Sequence, residues 1–139
     1  MEYRQFGDTY FLRLDPGDEI VESLTKLCSR EDIRLGSVTG LGAADHAVTG
    51  LYNVKEKQYY KTQFDGPMEI TSLVGNITRK DGEVYLHLHI NLCDETMQVK
   101  GGHLNECRIS ATSEIVVRSI SGEVGRRVDD YSGLNVFAF

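Results

Sequence analysis

Between Val84 and Cys93 the chain alternates without a break. Val84, Leu86, Leu88, Ile90 and Leu92 fall on one side, and Tyr85, His87, His89, Asn91 and Cys93 on the other. A period of two is that of a β-strand with one face in a core and one face polar. A helical period is confined to the stretch DPGDEIVESLTKLCSRED, where Ile20, Leu24, Leu27 and Cys28 recur on one stripe. Asp15 or Asp18 is placed to cap this helix, and Asp18 and Glu19 suit its positive end. The stripe is expected to lie on a sheet, with Cys28 as core filling rather than a reactive thiol.

Most of the remainder reads as strands. EYRQFGDTYFLRL is an opening hairpin or a long strand broken near Gly7-Asp8, IRLGSVTGLGAADHAVTGLYN is rich in Val, Thr and Gly, and KQYYKTQF is polar and aromatic. A turn at Asp65-Gly66-Pro67 is expected before MEITSLVGNITR, and another at Lys80-Asp81-Gly82 after it, giving two successive antiparallel connections. In that strand Ile70 and Val74 are expected on one face and Leu73 and Ile77 on the other. Apolar residues on both faces need cover on both. One short helix cannot supply it, so a partner subunit or a second sheet layer is implied and an oligomer is expected. No repeat, low-complexity segment or linker divides the sequence. The fold class that follows is α+β: a largely antiparallel sheet with one main flanking helix, in a single compact domain over residues 1–139.

Composition narrows the partners. With 139 residues and 40% hydrophobic content, the chain can bury a core without disulfides or a structural metal. Cys28, Cys93 and Cys107 are odd in number and lack a C-x-x-C spacing, so reduced thiols are expected. The net charge of −6 opposes nonspecific attraction to phosphate backbones. The first residues do not read as a secretory signal and no apolar run approaches a membrane span, so a cytoplasmic location without membrane contact is expected.

Against this background three of the four histidines fall within LHLHINLCDETMQVKGGHL. His87 and His89, two apart, share the polar side of their strand, roughly 7 Å apart at Cβ. His103 joins them if the following strand turns back with His89 opposite His103, Asn91 opposite Gly101 and His87 opposite Asn105, around a three-residue loop at Glu95-Thr96-Met97. A slip of one residue, or a bulge at Gly101-Gly102, sends His103 to the other face. In the favourable register three imidazoles converge above glycine, the open three-histidine pattern of a catalytic or exchangeable zinc site, with room for a small ligand. The competing reading is a polar strand face that meets water or another subunit. His46 reads as a satisfied surface or strand histidine. Glu69 and Glu114 interrupt apolar segments, and Glu69 is the candidate general base should the site be catalytic. Gly40-Leu41-Gly42 lacks the third glycine of a dinucleotide fingerprint and reads as a close-approach bend.

Taken in order, GDEIVESLTKLC, GSVTGLGAAD, GPMEITSLVGNI, VYLHLHINL, GGHL, ATSEIVV and the terminal SGL resemble the PPC domain, the plant and prokaryote conserved domain, over nearly the whole chain. The resemblance implies an antiparallel sheet flanked by helix and assembled as a homotrimer. It also implies that His87, His89 and His103 match the histidines of the stand-alone prokaryotic form, which bacterial naming describes as a predicted DNA-binding protein. The Arg-Gly-Arg-Pro core of an AT-hook is absent here. Arg126-Arg127, the one adjacent arginine pair, is followed by Asp129-Asp130, which suits ion pairs or turn contacts better than a phosphate clamp. Four functions stay open at this point: a divalent-metal protein, zinc being the expected ion, with a small-molecule ligand; its extension to a hydrolase or lyase; a DNA-associated oligomerisation module; and a metal-free ligand-sensing domain.

Overall fold

In the computed structural model, which describes residues 1–139, the chain opens with a hairpin. β1 (Glu2–Phe6) and β2 (Thr9–Leu14) pair antiparallel around Gly7-Asp8, with Gly7 at φ 61°. Glycine as the first residue of a two-residue connection is what a type II′ turn demands. Asp15-Pro16-Gly17-Asp18 then turns the chain with Gly17 at φ 90° and the Asp18 amide donating to the Asp15 carbonyl, a type II turn with Pro and Gly in their favoured places. The helix α1 (Ile20–Arg30) follows. Its N-cap is Glu19 rather than Asp15 or Asp18: the Glu19 side chain accepts from the Glu22 amide, while Asp18 is occupied by the Asp15 amide and the N-terminal ammonium. Ile20, Leu24, Leu27 and Cys28 are buried along one stripe, and the stripe packs on strands β5 and β6, given below. Each such side chain contributes about 1.5–3 kcal/mol by leaving water.

The rest of the domain is antiparallel sheet. β3 (Gly36–Asn53), β4 (Gln58–Lys80), β5 (Glu83–Cys93) and β6 (Val99–Ser119) are long, and the strand order is β1-β2-β6-β3-β4-β5. β6 also pairs with β5 through Val99–His103, so β3, β4, β5 and β6 close into a ring. On that edge of β6, β2 takes Ser113 to Arg118. Between the two, the entrance of α1 supplies partners: the Gly17 amide donates to the Ile109 carbonyl, the Ile109 amide to the Asp18 carbonyl, and the Cys107 amide to the Glu19 carboxylate.

Two further expectations, both in β4, need correcting. Asp65-Gly66-Pro67 does not reverse the chain. β4 runs straight through it, with Gly66 at φ 107° and a register shift in β3 between Ala44 and His46 marking a bend in a paired ribbon. The side chain of Ile70 lies in the core with Leu73 and Ile77, not with Val74, because a bulge between Ile70 and Ser72 switches the parity of the strand. Val74 is left exposed on the outer face with Phe11 and Leu41. The reversal at Asp81-Gly82 does form, both residues at positive φ, as a type I′ hairpin requires. A small C-terminal hairpin, β7 (Gly125–Val128) with β8 (Asn135–Ala138), packs against β4 and was not anticipated from the sequence. No helix is long and apolar enough to cross a membrane.

Candidate metal centre

The alternation of β5 decides which side chains meet. Leu88, Ile90 and Leu92 are buried in the core, so His87, His89 and Asn91 must stand on the opposite face. On β4 their partners are Asn76, Val74 and Ser72; on β6, His89 faces His103 and Asn91 faces Gly101. The favourable register is therefore the one adopted. It is set by the turn. The Asp94 amide donates to the Gln98 carbonyl, Glu95-Thr96-Met97 form the tip, and Met97 takes the left-handed conformation at φ 62° that usually falls to glycine. The Asp94 carboxylate accepts from the Lys100 ammonium, the Thr96 hydroxyl and the amides of Thr96 and Gln98, which in that order hold its carboxyl well below the usual carboxylate range. The expected pair of His87 with Asn105 does not form. β6 leaves β5 after His103 and continues on β3, with Asn105 as an extra residue between the pairs Thr49–Leu104 and Val48–Glu106. That bulge turns Cys107 into the core, away from His103, where burial pushes its thiol up to about 12.

The three imidazoles form a near-equilateral triangle. Ring centroids are 5.3 Å apart for His87 and His89, 5.2 Å for His87 and His103, and 5.6 Å for His89 and His103. One ligand nitrogen from each lies within 4.8 Å of the others. An ion bonded tetrahedrally at about 2.1 Å would hold them about 3.4 Å apart, a closure within reach of small χ rotations. His87 and His103 are half-buried. Burial, and then the neighbouring imidazoles, depress the pKa of each, and Arg126 adds to the effect on His87. Neutral rings with free lone pairs are the form a metal requires. The donor set fits a divalent ion of zinc type.

Residues 1–121 match the family model of the Plants and Prokaryotes Conserved (PCC) domain. The chain belongs to the PCC domain family. Among solved structures, a protein of Bacteroides thetaiotaomicron to which DNA binding has been ascribed is 33% identical, with a TM-score of 0.96 over 99% of this chain and 96% of that one. A metal-containing protein of Archaeoglobus fulgidus is 32% identical, with a TM-score of 0.90 over 99% of this chain and 97% of that one. A 110-residue stretch is 31% identical to the bifunctional protein GlmU of a Synechococcus strain, covering 78% of this chain and 16% of that protein. The PCC chain thus spans about a sixth of that curated relative's length.

Not every candidate residue of this PCC protein reaches the triangle. Glu69 is exposed and pairs with Cys93, four residues or about 13 Å of strand rise along β5 from His89. Hydrogen-bond reach to the cluster, which a general base needs, is out of range at that separation. Glu114 pairs with Arg13 and Leu41 on the far outer face. His46 is satisfied elsewhere, with Nδ1 2.6 Å from Asp65 and Nε2 3.5 Å from Glu106. Two residues that the sequence did not assign to the site border it instead: Tyr59, and Arg126, whose sequence neighbourhood suggested ion-pair or turn contacts. The ring of Tyr59 stands edge-on to His103 at 6.1 Å, and its hydroxyl donates to the Asn105 Oδ1. It gets there by crossing Gly50, where an added Cβ would lie 1.8 Å from the Tyr59 hydroxyl. Arg126 of β7 donates to Asn76 Oδ1, the side chain cross-strand from His87. Neither contact has a local sequence signal: each joins residues 46 or more positions apart.

Proposed function

We propose that this PCC protein binds one divalent metal ion, zinc in the first instance, through His87, His89 and His103, leaving a coordination position open to a small ligand. The observation that carries this reading is the single one of three ligand nitrogens within 4.8 Å on one face of one hairpin. Three histidines without a fourth protein ligand are the donor set of open zinc sites, in which the bound ion polarises a ligand or lowers the pKa of a water. The metal-containing relative from Archaeoglobus supports the same reading. No carboxylate of the chain joins the cluster, so the reading stops at binding and assigns no reaction.

The site is further proposed to lie beside a subunit interface of a homotrimer. A row of cross-strand partners runs from Phe11 through Val116, Thr39 and Val74 to His89 and His103. Phe11 and Val74 are about half exposed on that row, with Leu41 beside it. An apolar strip that ends at the histidines suits cover by a second copy. Sedimentation equilibrium tests it, and a monomer at micromolar concentration would refute it.

Metal content decides the central proposal. Elemental analysis of untagged protein purified without chelator, beside His87→Ala and His103→Ala, is expected to give about one ion per chain, lost in both variants. Absence of metal after loading would sink the reading. The DNA binding ascribed to the Bacteroides relative suggests a second reading. The net charge of −6 counts against direct contact, and a gel shift at low salt tests it.

A further inference from the structure

Arg126 is placed unlike the other arginines. Arg13, Arg30, Arg34, Arg79, Arg108 and Arg118 each have a carboxylate within 4 Å. Arg4 and Arg127 have none, but both are exposed to water. Arg126 is partly buried, has no carboxylate partner, and is not paired with Asp129 or Asp130 as its sequence neighbourhood suggested. Asp129 makes turn contacts to Ser132 instead.

The guanidinium is held rigidly all the same. Nε donates to Thr78 Oγ1 at 2.9 Å, one terminal nitrogen to the Asn135 carbonyl at 3.2 Å and the other to Asn76 Oδ1 at 2.6 Å. Its Cζ lies over the rings of Tyr85 and Phe137, 4.6 and 4.4 Å from their centroids. Three of five N–H donors are thus given to neutral oxygens and two remain. Tyr85 is two residues before His87 on the same strand face, and Asn76 is the cross-strand partner of His87. The guanidinium therefore lies about one strand repeat beyond His87, on the side where β6 has left β5.

A partly desolvated cation without a counter-charge is unfavourable, and burial lowers the pKa of Arg126 accordingly. An acidic chain with 21 Asp and Glu could have supplied a carboxylate, and none is within reach. Fastening the C-terminal hairpin does not account for the charge. The hairpin region is also tied by the Arg79 amide to the Val124 carbonyl and by the Tyr52 hydroxyl to the Ser132 carbonyl. The faces of Tyr85 and Phe137 favour a cation there but carry no counter-charge, so the charge stays available to an anion.

We propose that the ligand received beside the histidine triangle is a small organic carboxylate, and that Arg126 is the residue that selects its negative charge. The proposal rests on the metal-binding reading above. A planar fork with two donors free matches a carboxylate, and the aromatic rings fix its direction before the ligand arrives. Arg126 lies beyond the residues matched by the family model, so the C-terminal hairpin brings this charge to a site built by the rest of the domain.

Cobalt(II)-loaded protein allows both readings to be separated, because its visible bands report metal in the histidine site and shift when a ligand enters. Acetate and its neutral isostere acetamide are titrated into wild type, Arg126→Gln and Arg126→Lys, with circular dichroism as the folding control. The expected result is tighter binding of acetate than acetamide in wild type. Loss of the charged donor weakens acetate by about tenfold or more in Arg126→Gln, leaves acetamide unchanged and gives an intermediate value in Arg126→Lys. Should the Gln variant not fold, the Lys variant and the wild-type preference carry the comparison. Intact cobalt bands with equal acetate affinity in the folded variants and wild type, or no wild-type preference for acetate, would overturn the role of Arg126 alone. No cobalt bands in wild type would overturn the metal reading and this inference with it.

Discussion

Gly101→Ala tests whether pairing of β5 with β6 is what delivers His103. A Cβ at Gly101 would lie 2.1 Å from the Ile90 carbonyl oxygen, 2.7 Å from Asn91 Oδ1 and 3.1 Å from Asn91 Cα. The Asn91 amide could rotate away, but the other two atoms belong to the facing strand. That strand must retreat by about 1 Å to restore ordinary contact, an overpacking of about 1–3 kcal/mol. Gly101 is also the middle of the five pairs from His89–His103 to Cys93–Val99, so the retreat strains ladder hydrogen bonds contributing about 0.5–1.5 kcal/mol each. Both effects come from one displacement and overlap, and the expected loss is about 2–3 kcal/mol. Urea unfolding should show it as a midpoint lowered by about 1 M at a slope near 2 kcal/mol/M. Elemental analysis of the same sample should show metal well below wild type. A variant that keeps the wild-type midpoint and full metal content, while His103→Ala loses its metal, would refute the claim that this register places the ligand.

Thiol accessibility is expected to split the cysteines: burial raises Cys28 to about 11 and Cys107 to about 12, whereas Cys93 is partly exposed. A colorimetric thiol titration at pH 8 should find about one reactive group per native chain and the full set after denaturation. Asp94 has a depressed pKa in the folded chain, so its contribution to the hairpin tip is present above the ordinary carboxylate pKa of about 3.9 and is lost as pH falls through the lowered folded value. Amide resonances of Thr96 and Gln98 should move in that acid range, and Asp94→Asn should abolish the movement. Chelation of the proposed metal should lower the melting temperature by roughly 8 °C if the ion is present at about a hundred times its dissociation constant. An unchanged melting temperature would count against a filled site.

The parts of this molecule that could be read from sequence are those in which neighbours along the chain decide the outcome. Strict alternation from Val84 to Cys93 and a loop of three residues were enough to bring His89 opposite His103. The stripe of Ile20, Leu24, Leu27 and Cys28 was enough for the helix. Bulges defeat such reasoning, since nothing around Thr71 announces that Ile70 changes face, nor around Asn105 that the next strand stops matching His87. Asp65-Gly66-Pro67 has the composition of a turn, yet β3 pairs with β4 on both sides of it and keeps the ribbon continuous. The places of Tyr59 and Arg126 beside the histidines could not be found by pattern: the first needs the vacant Cβ of Gly50, the second a hairpin folded back onto strands some 50 residues earlier.

All three histidines come from one β5–β6 hairpin spanning 17 residues, whereas β3 meets β6 across separations as large as that of Gly36 and Ser119. In kinetic terms the ligand set is local. Bringing it together requires closing only a short loop, and loop-closure entropy rises with length before distant pairings repay it. On the metal-binding proposal the hairpin could engage an ion while the ring of strands is still open, and metal would then hasten folding rather than only delay unfolding. The order of events would then run from the proposed site outward, with the chemistry of the protein contributing to the assembly of its frame.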